Sequence, residues 1–215
     1  MDKQQVLNTL AKLKEDSKKR NFAQSVDLII NLKNINTKSQ PVNFFTTLPK
    51  STGKKFKVAA FLGQELAEQG KGVCDFVITD SEFDSYKADP KKIKQVAESY
   101  DIFIAQATVM GRMAGVFGKT LGMKGKMPNP KTGAVVPPNA NLAVLREKLE
   151  RTVKLSAKKA TNLQVIVGKE AMSDEELAEN IVAVHKAALQ NLPNQEQNIK
   201  KVQLKLTMSK PITVE

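Results

Sequence analysis

The sequence predicts α/β and α+β architecture in one chain: an α+β domain assembled from both ends, and an α/β domain with a parallel sheet inserted between them. Three observations predict this. From Phe56 to about Glu150, short apolar runs alternate with helical stretches, the pattern of a parallel sheet covered by helices. Both flanks carry the period-2 apolar alternation of half-buried strands. Neither flank has enough elements to close a core alone, so the economical solution packs the two together. The crossings fall near Pro49 to Lys55 and Arg151 to Val153, which predicts a composite domain of 1-52 plus 151-215 and an insert of 53-150.

Each element has its own signal. Val6, Leu7, Leu10 and Leu13 recur at helical spacing, after which Val26, Leu28, Ile30 and Leu32 alternate with Asp27, Asn31 and Lys33 as in a strand. A second strand is predicted from Val42 to Leu48. In the insert, Phe56 to Leu62, Val73 to Ile78 and Ile102 to Ala105 read as strands, with helices at Gln64 to Gln69 and Pro90 to Ser99. Pro90 suits a first helical turn, where its missing N–H costs nothing. Further on, Val153 to Ala157 and Leu163 to Val167 read as paired strands. Ser173 with Glu176 makes a capping box for a helix from Asp174 to Leu192, whose apolar stripe is Leu177, Ile181, Val184 and Leu189. Val202, Leu204, Leu206 and Met208 alternate as a final strand.

Charge narrows the choice of partner. The 34 Lys+Arg against 22 Asp+Glu leave a formal +12, which favours nucleic acid. The composite domain carries +8 of that excess and the insert +4. For Lys12, Lys14, Lys18, Lys19 and Arg20, the solvated face of the first helix and phosphate contact are equally good readings. No segment approaches the roughly 20 apolar residues that span a bilayer, and the N-terminus lacks the apolar stretch of a signal peptide, so a cytoplasmic protein with no membrane partner is expected. The lone Cys74 reads as an inert thiol on a buried strand. A single histidine, His185, allows no histidine pair for a metal and reads as a half-buried packing residue. No catalytic residue, metal or cofactor is expected.

The segment from Gly111 to Gly133 holds six of the eleven glycines and five basic side chains, Arg112, Lys119, Lys124, Lys126 and Lys131, with no acid from Ile102 to Arg146. Such text suits a backbone lying against an anion. Gly118-Lys119-Thr120 invites a phosphate-loop reading, and with it an enzyme alternative, a nucleotide-dependent phosphotransferase. The spacing opposes it, because Met113 stands where that loop needs glycine. The G-x-x-G pieces at Gly115 and Gly122 match the backbone-gripping loop of KH domains, but four-residue matches are cheap in glycine-rich text.

Leu121-Gly122-Met123-Lys124-Gly125-Lys126-Met127-Pro128-Asn129-Pro130-Lys131-Thr132-Gly133-Ala134-Val135 resembles the signature of the large-subunit ribosomal protein family numbered one, and looks more archaeal than bacterial. Phe22 to Asp27 resembles the family's first-strand RNA-binding text, and Thr207-Met208 its C-terminal threonine-methionine-glycine motif. The resemblance implies a split two-layer α+β domain that holds ribosomal RNA, with an inserted Rossmann-like three-layer α/β domain. It implies a mobile stalk near the tRNA exit site, a monomer when free, and exit-site tRNA and the protein's own messenger RNA as further partners. Carried onto matching positions, the RNA contacts are Phe22, Ser25, Asp27, Thr207, Met208 and Ser209. Secondary contacts fall in the signature arm, at Lys119, Gly122, Lys124, Gly125, Lys126, Pro128, Asn129 and Lys131. Two positions depart from the pattern. Ser209-Lys210 stands where the family usually has Gly-Pro, which puts Ser209 in doubt as a direct ligand if glycine geometry is needed, and Met123 stands where proline is usual.

Overall fold

The structure is a computed structural model that describes residues 1–18, 20–37, 40–158 and 160–214. In chain order its elements are α1 (Lys3–Glu15), β1 (Ser25–Leu32), β2 (Val42–Thr47), β3 (Val58–Leu62), α2 (Gln64–Val73), β4 (Phe76–Thr79), α3 (Phe83–Ala88), α4 (Pro90–Ser99), β5 (Ile102–Gln106), α5 (Met110–Met123), β6 (Val135–Val136), α6 (Leu142–Glu150), β7 (Thr152–Ala157), β8 (Asn162–Lys169), α7 (Asp174–Asn191), β9 (Ile199–Leu206) and β10 (Ile212–Thr213). They fall into two compact units, Met1–Lys54 with the chain from Arg151 onward, and Lys55–Glu150.

The first unit is built on β1. Its burial alternates at every second residue, with Val26, Leu28, Ile30 and Leu32 inside, because a pleated strand sends successive side chains to opposite faces. β1 lies between β8 and β9 in an antiparallel sheet of order β10-β9-β1-β8. Val6, Leu10 and Leu13 of α1 and Leu177, Ala178, Ile181, Val184 and Ala188 of α7 cover its inner face. Ala188, one residue before the expected Leu189, takes the innermost position at the end of that stripe. Ser173 caps α7, its hydroxyl accepting from the Glu176 N–H, which is the serine half of the expected capping box.

The pairing of β7 with β8 is not found. β7 pairs with β2, where Val42 faces Ala157 and Phe44 faces Leu155, and β8 pairs with β1. The exchange is driven by burial: Phe44 and Leu155 meet inside, while Leu163, Val165 and Val167 cover the same core from the larger sheet. The last strand also differs from expectation. β9 stops at Leu206, because the Ser209 hydroxyl accepts the Leu206 N–H at 2.8 Å and folds the chain back. Met208 therefore lies in a turn, and the short strand β10 follows, Ile212 facing Leu204.

The second unit has a parallel sheet of order β4-β3-β5-β6, and β3 is buried at every position because helices cover both faces. Ala59 and Phe61 turn to one side with Phe83 of α3, Ile93 of α4 and Met113, Phe117 and Leu121 of α5. Val58, Ala60 and Leu62 turn to the other, with Leu66 of α2 and Leu142 and Leu149 of α6. The result is three layers.

Cys74 does not sit on a strand as expected. Its N–H closes α2 on the Gly70 carbonyl at 2.7 Å, and β4 begins two residues later. The thiol is buried, and burial pushes it up to about 11. At about pH 8, Cys74 is therefore expected to resist iodoacetamide in the folded protein and to react once urea unfolds it, since the thiolate is the nucleophile. Alkylation of the native protein at the rate of a free thiol would contradict that burial.

Candidate nucleic-acid interface

The antiparallel register of β1 and β9 pairs Val26 with Leu206, so the residues just outside that pair meet across the chain ends. The Ser25 N–H donates to the Thr207 hydroxyl oxygen at 3.0 Å. Gln24 is almost wholly buried. Its side-chain Oε1 accepts the Met208 N–H at 3.1 Å and its own carbonyl accepts the Glu170 N–H at 2.9 Å. One amide side chain thus sets the turn after β9 against the start of β1. Sequence reasoning passed over Gln24, because nothing distinguishes it in text from a surface glutamine.

The apolar side chains at this junction are not hidden. Phe22 is 53% exposed and Met208 61%, an unusual outlay for side chains that a core would otherwise take. Ser209 departs from expectation. Among the described residues only Asn34 and Gln195 are non-glycine residues with positive φ, so Ser209 sits there without the left-handed geometry that would demand glycine. Its hydroxyl serves the fold, accepting from Leu206 N–H and donating to the Lys210 carbonyl at 3.0 Å.

Asp27 lies on the outer face of the same sheet, opposite Lys205 on β9 and Ile166 on β8. Burial raises its pKa above the ordinary carboxylate value, with the Lys205 charge and a hydrogen bond from Gln164 pulling the other way. A carboxyl whose folded pKa is raised is stabilising while protonated, and that contribution is lost as pH rises through the folded value. Asp27→Asn is therefore expected to hold or raise the urea midpoint of the free protein at about pH 7. A lowered midpoint would mean that Lys205 outweighs desolvation.

A β-bulge shapes the sheet here. Val26 faces Gly168 and Asp27 faces Ile166, so Val167 has no partner on β1. Its carbonyl is taken instead by the Asn180 side-chain amide of α7 at 2.8 Å, while Asn180 Oδ1 accepts the Lys50 N–H at 2.9 Å. Gly168 is the residue that fits beside it, because a Cβ there would lie 2.5 Å from Leu177 Cδ2.

Much of the glycine-rich segment is helix rather than an open loop. Gly111, Gly115, Gly118 and Gly122 all lie in α5, where Met113, Phe117 and Leu121 recur every fourth residue as its buried stripe. Gly118-Lys119-Thr120 is thus helix, which removes the phosphate-loop reading. The helix ends in a Schellman turn, with Gly125 at φ 66°, the Lys126 N–H on the Leu121 carbonyl and the Gly125 N–H on the Gly122 carbonyl. Met123 is exposed in its last turn. Lys126 Nζ donates to the Ala97 and Tyr100 carbonyls at the end of α4, Lys124 pairs with Glu98, and Arg112 pairs with Asp80. Pro128 is buried, and Asn129 Oδ1 accepts the Lys131 N–H to open a 3-10 turn closed by Gly133 at φ 81°. Of the five cations, Lys119 and Lys131 stay exposed without a partner among the described residues.

The crevice beyond β3 and β5, where the strand order reverses, is the usual ligand site of an open α/β sheet. Here Gln106 fills it. Its buried side chain accepts the Gly63 N–H at 2.7 Å and donates to Glu65 at 3.2 Å. His185 is buried on α7, and burial lowers its pKa. Among the described residues no His, Cys, Asp and Glu cluster suits a metal ion, and no helix is long and apolar enough to cross a membrane.

Exposed Phe22 and Met208, and a hydroxyl bonded to a backbone N–H where two strand ends meet, thus lie together in a strongly basic α/β and α+β protein. In comparison with known proteins, residues 13–210 match the Ribosomal protein L1p/L10e family. The large ribosomal subunit protein uL1 of Nanoarchaeum equitans is 38% identical over 93% of this chain and 94% of its own length. The uL1 of Methanothermococcus thermolithotrophicus is 38% identical over the full length of both, and that of Pyrococcus abyssi 37% identical over 99% and 96%. The chain belongs to this family. These are structural ribosomal proteins and not enzymes, so the phosphotransferase alternative finds no support.

Proposed function

We propose that the protein is a constituent of the large ribosomal subunit that binds one folded element of large-subunit rRNA through its first unit. The bound element lies in the mobile stalk near the tRNA exit site of the cytoplasmic ribosome. The carrying observation is the Ser25 to Thr207 hydrogen bond, which joins the two distant motifs into one surface flanked by exposed Phe22 and Met208. Chemistry supports RNA there. An aromatic ring can stack on a base or ribose, hydroxyls and Asp27 can bond 2′-hydroxyls, and exposed strand-end backbone can follow a folded shape. The same surface, offered a similar fold in the protein's own messenger RNA, would repress its translation. Exit-site tRNA is a further partner through the second unit, where exposed Lys119 and Lys131 are candidate contacts.

Co-sedimentation with large subunits in a sucrose gradient tests incorporation. Filter binding to a stalk rRNA fragment tests the site: Phe22→Ala and Thr207→Val are each expected to weaken it by about 1–3 kcal/mol, the scale of a lost stacking platform or an orphaned polar partner. Equal affinity for an unrelated duplex would reject a specific site, and wild-type affinity in both variants would remove these residues from it.

A further inference from the structure

Three cations from two distant stretches of the chain converge on one groove beside the junction. It has a volume of about 480 Å³ and is lined by Leu13, Asp16 and Ser17 at the end of α1, by Lys18, Arg20 and Gln24 before β1, and by Met208, Ser209, Lys210 and Ile212 after β9. α1 stops at Glu15, so Lys18 and Arg20 are not on its solvated face. Lys18, Arg20 and Lys210 are exposed, and among the described residues none has an acidic partner. Lys19, the remaining member of the basic run, lies outside the described residues. Asp16 is the single acid among the lining residues, which leaves the groove net positive.

We infer that this groove is a second phosphate-backbone subsite, in which Lys18, Arg20 and Lys210 hold the phosphodiester strand leading away from the RNA seated on Phe22 and Thr207. The inference rests on the proposed function and adds to it three residues outside the resembling motifs. Gln24 and Met208 belong to both places, so a strand leaving the junction enters the groove without a gap. Ile212 gives it apolar wall for a ribose, and the cations supply the charge that a polyanion needs. Lys210 is this chain's own contribution, since it stands where the resembling family usually has proline. Ser209 carries it into place, folding the turn through its hydroxyl on Leu206 and Lys210.

Salt titration tests the subsite directly, because each phosphate neutralised adds about 0.7–0.9 to the slope of log affinity against log salt. Binding of the stalk rRNA fragment is measured from about 0.05 to 0.2 M KCl, a range over which such slopes change affinity by orders of magnitude. Lys18→Gln, Arg20→Gln and Lys210→Gln are each expected to flatten the slope by about 0.7–0.9, and the triple variant by about 2–3. Lys71→Gln in the second unit, an exposed lysine, removes one charge elsewhere and is expected to leave the slope unchanged. A triple variant with the wild-type slope would overturn the subsite. So would a Lys71→Gln slope that falls as far as each single groove variant, since net charge would then explain the effect. If the triple variant keeps its slope while Phe22→Ala still weakens binding, the groove fails and the junction stands. If the wild-type protein does not distinguish the fragment from an unrelated duplex, the proposed function fails with it.

Discussion

Phe117→Ala is expected to destabilise the second unit by about 3–5 kcal/mol, the range for an aromatic removed from a packed core. The ring is fully buried at the centre of one helical face, 4.8 Å from Phe61, 6.0 Å from Phe83 and 5.3 Å from Tyr86 between ring centroids. Alanine would leave a void bounded by three aromatic rings and a sheet, none able to collapse into it. The readout is favourable. The protein has no tryptophan, and its two tyrosines, Tyr86 and Tyr100, both lie in residues 55–150. Tyrosine fluorescence in a urea titration therefore follows this unit alone. The midpoint should fall steeply while affinity for the stalk rRNA fragment holds. An unmoved midpoint would mean that Phe117 is not the centre of that core, and a matching loss of rRNA affinity would place the RNA site elsewhere than the first unit.

Asn180→Leu should act on the other unit. The substitution is close in volume but leaves two backbone groups, the buried Val167 carbonyl and the part-buried Lys50 N–H, without their Asn180 partner. The orphaned Val167 carbonyl costs about 1–3 kcal/mol, and the Lys50 N–H less, since water can reach it. Far-UV circular dichroism should register an early transition in urea while the tyrosine signal keeps its wild-type midpoint. Because Val167 is the unpaired residue of the bulge opposite Val26 and Asp27, affinity for the rRNA fragment is expected to fall as well. A variant with unaltered stability would show that both groups find water or another partner.

Much of the architecture was legible in text because burial writes a period into it. Val26 to Leu32 alternates cleanly, since one face of β1 is covered and the other is open. What resisted reading was partner choice and glycine. Val153 to Ala157 and Leu163 to Val167 look alike as strands, and only the three-dimensional position of Phe44 decides that the first joins β2. Gly111, Gly115, Gly118 and Gly122 suppress the helical propensity of α5, whose stripe of Met113, Phe117 and Leu121 overrides it through packing. At the junction, Ser25 and Thr207 were visible through the resemblance. Gln24, Asn180 and Gln106 were not, because a buried amide that satisfies backbone groups has the same letter as one in water.

The place of β1 bears on how the protein is made. Residues 55–150 contain every strand of their own sheet, so that unit can close while the rest of the chain is still being synthesised. β1 cannot. It leaves the peptide tunnel before the second unit, and both of its hydrogen-bonding neighbours, β8 and β9, are translated after that unit. A nascent chain must carry an apolar strand with two open edges until β8 and β9 arrive, and during that interval it is most exposed to aggregation and most in need of a chaperone.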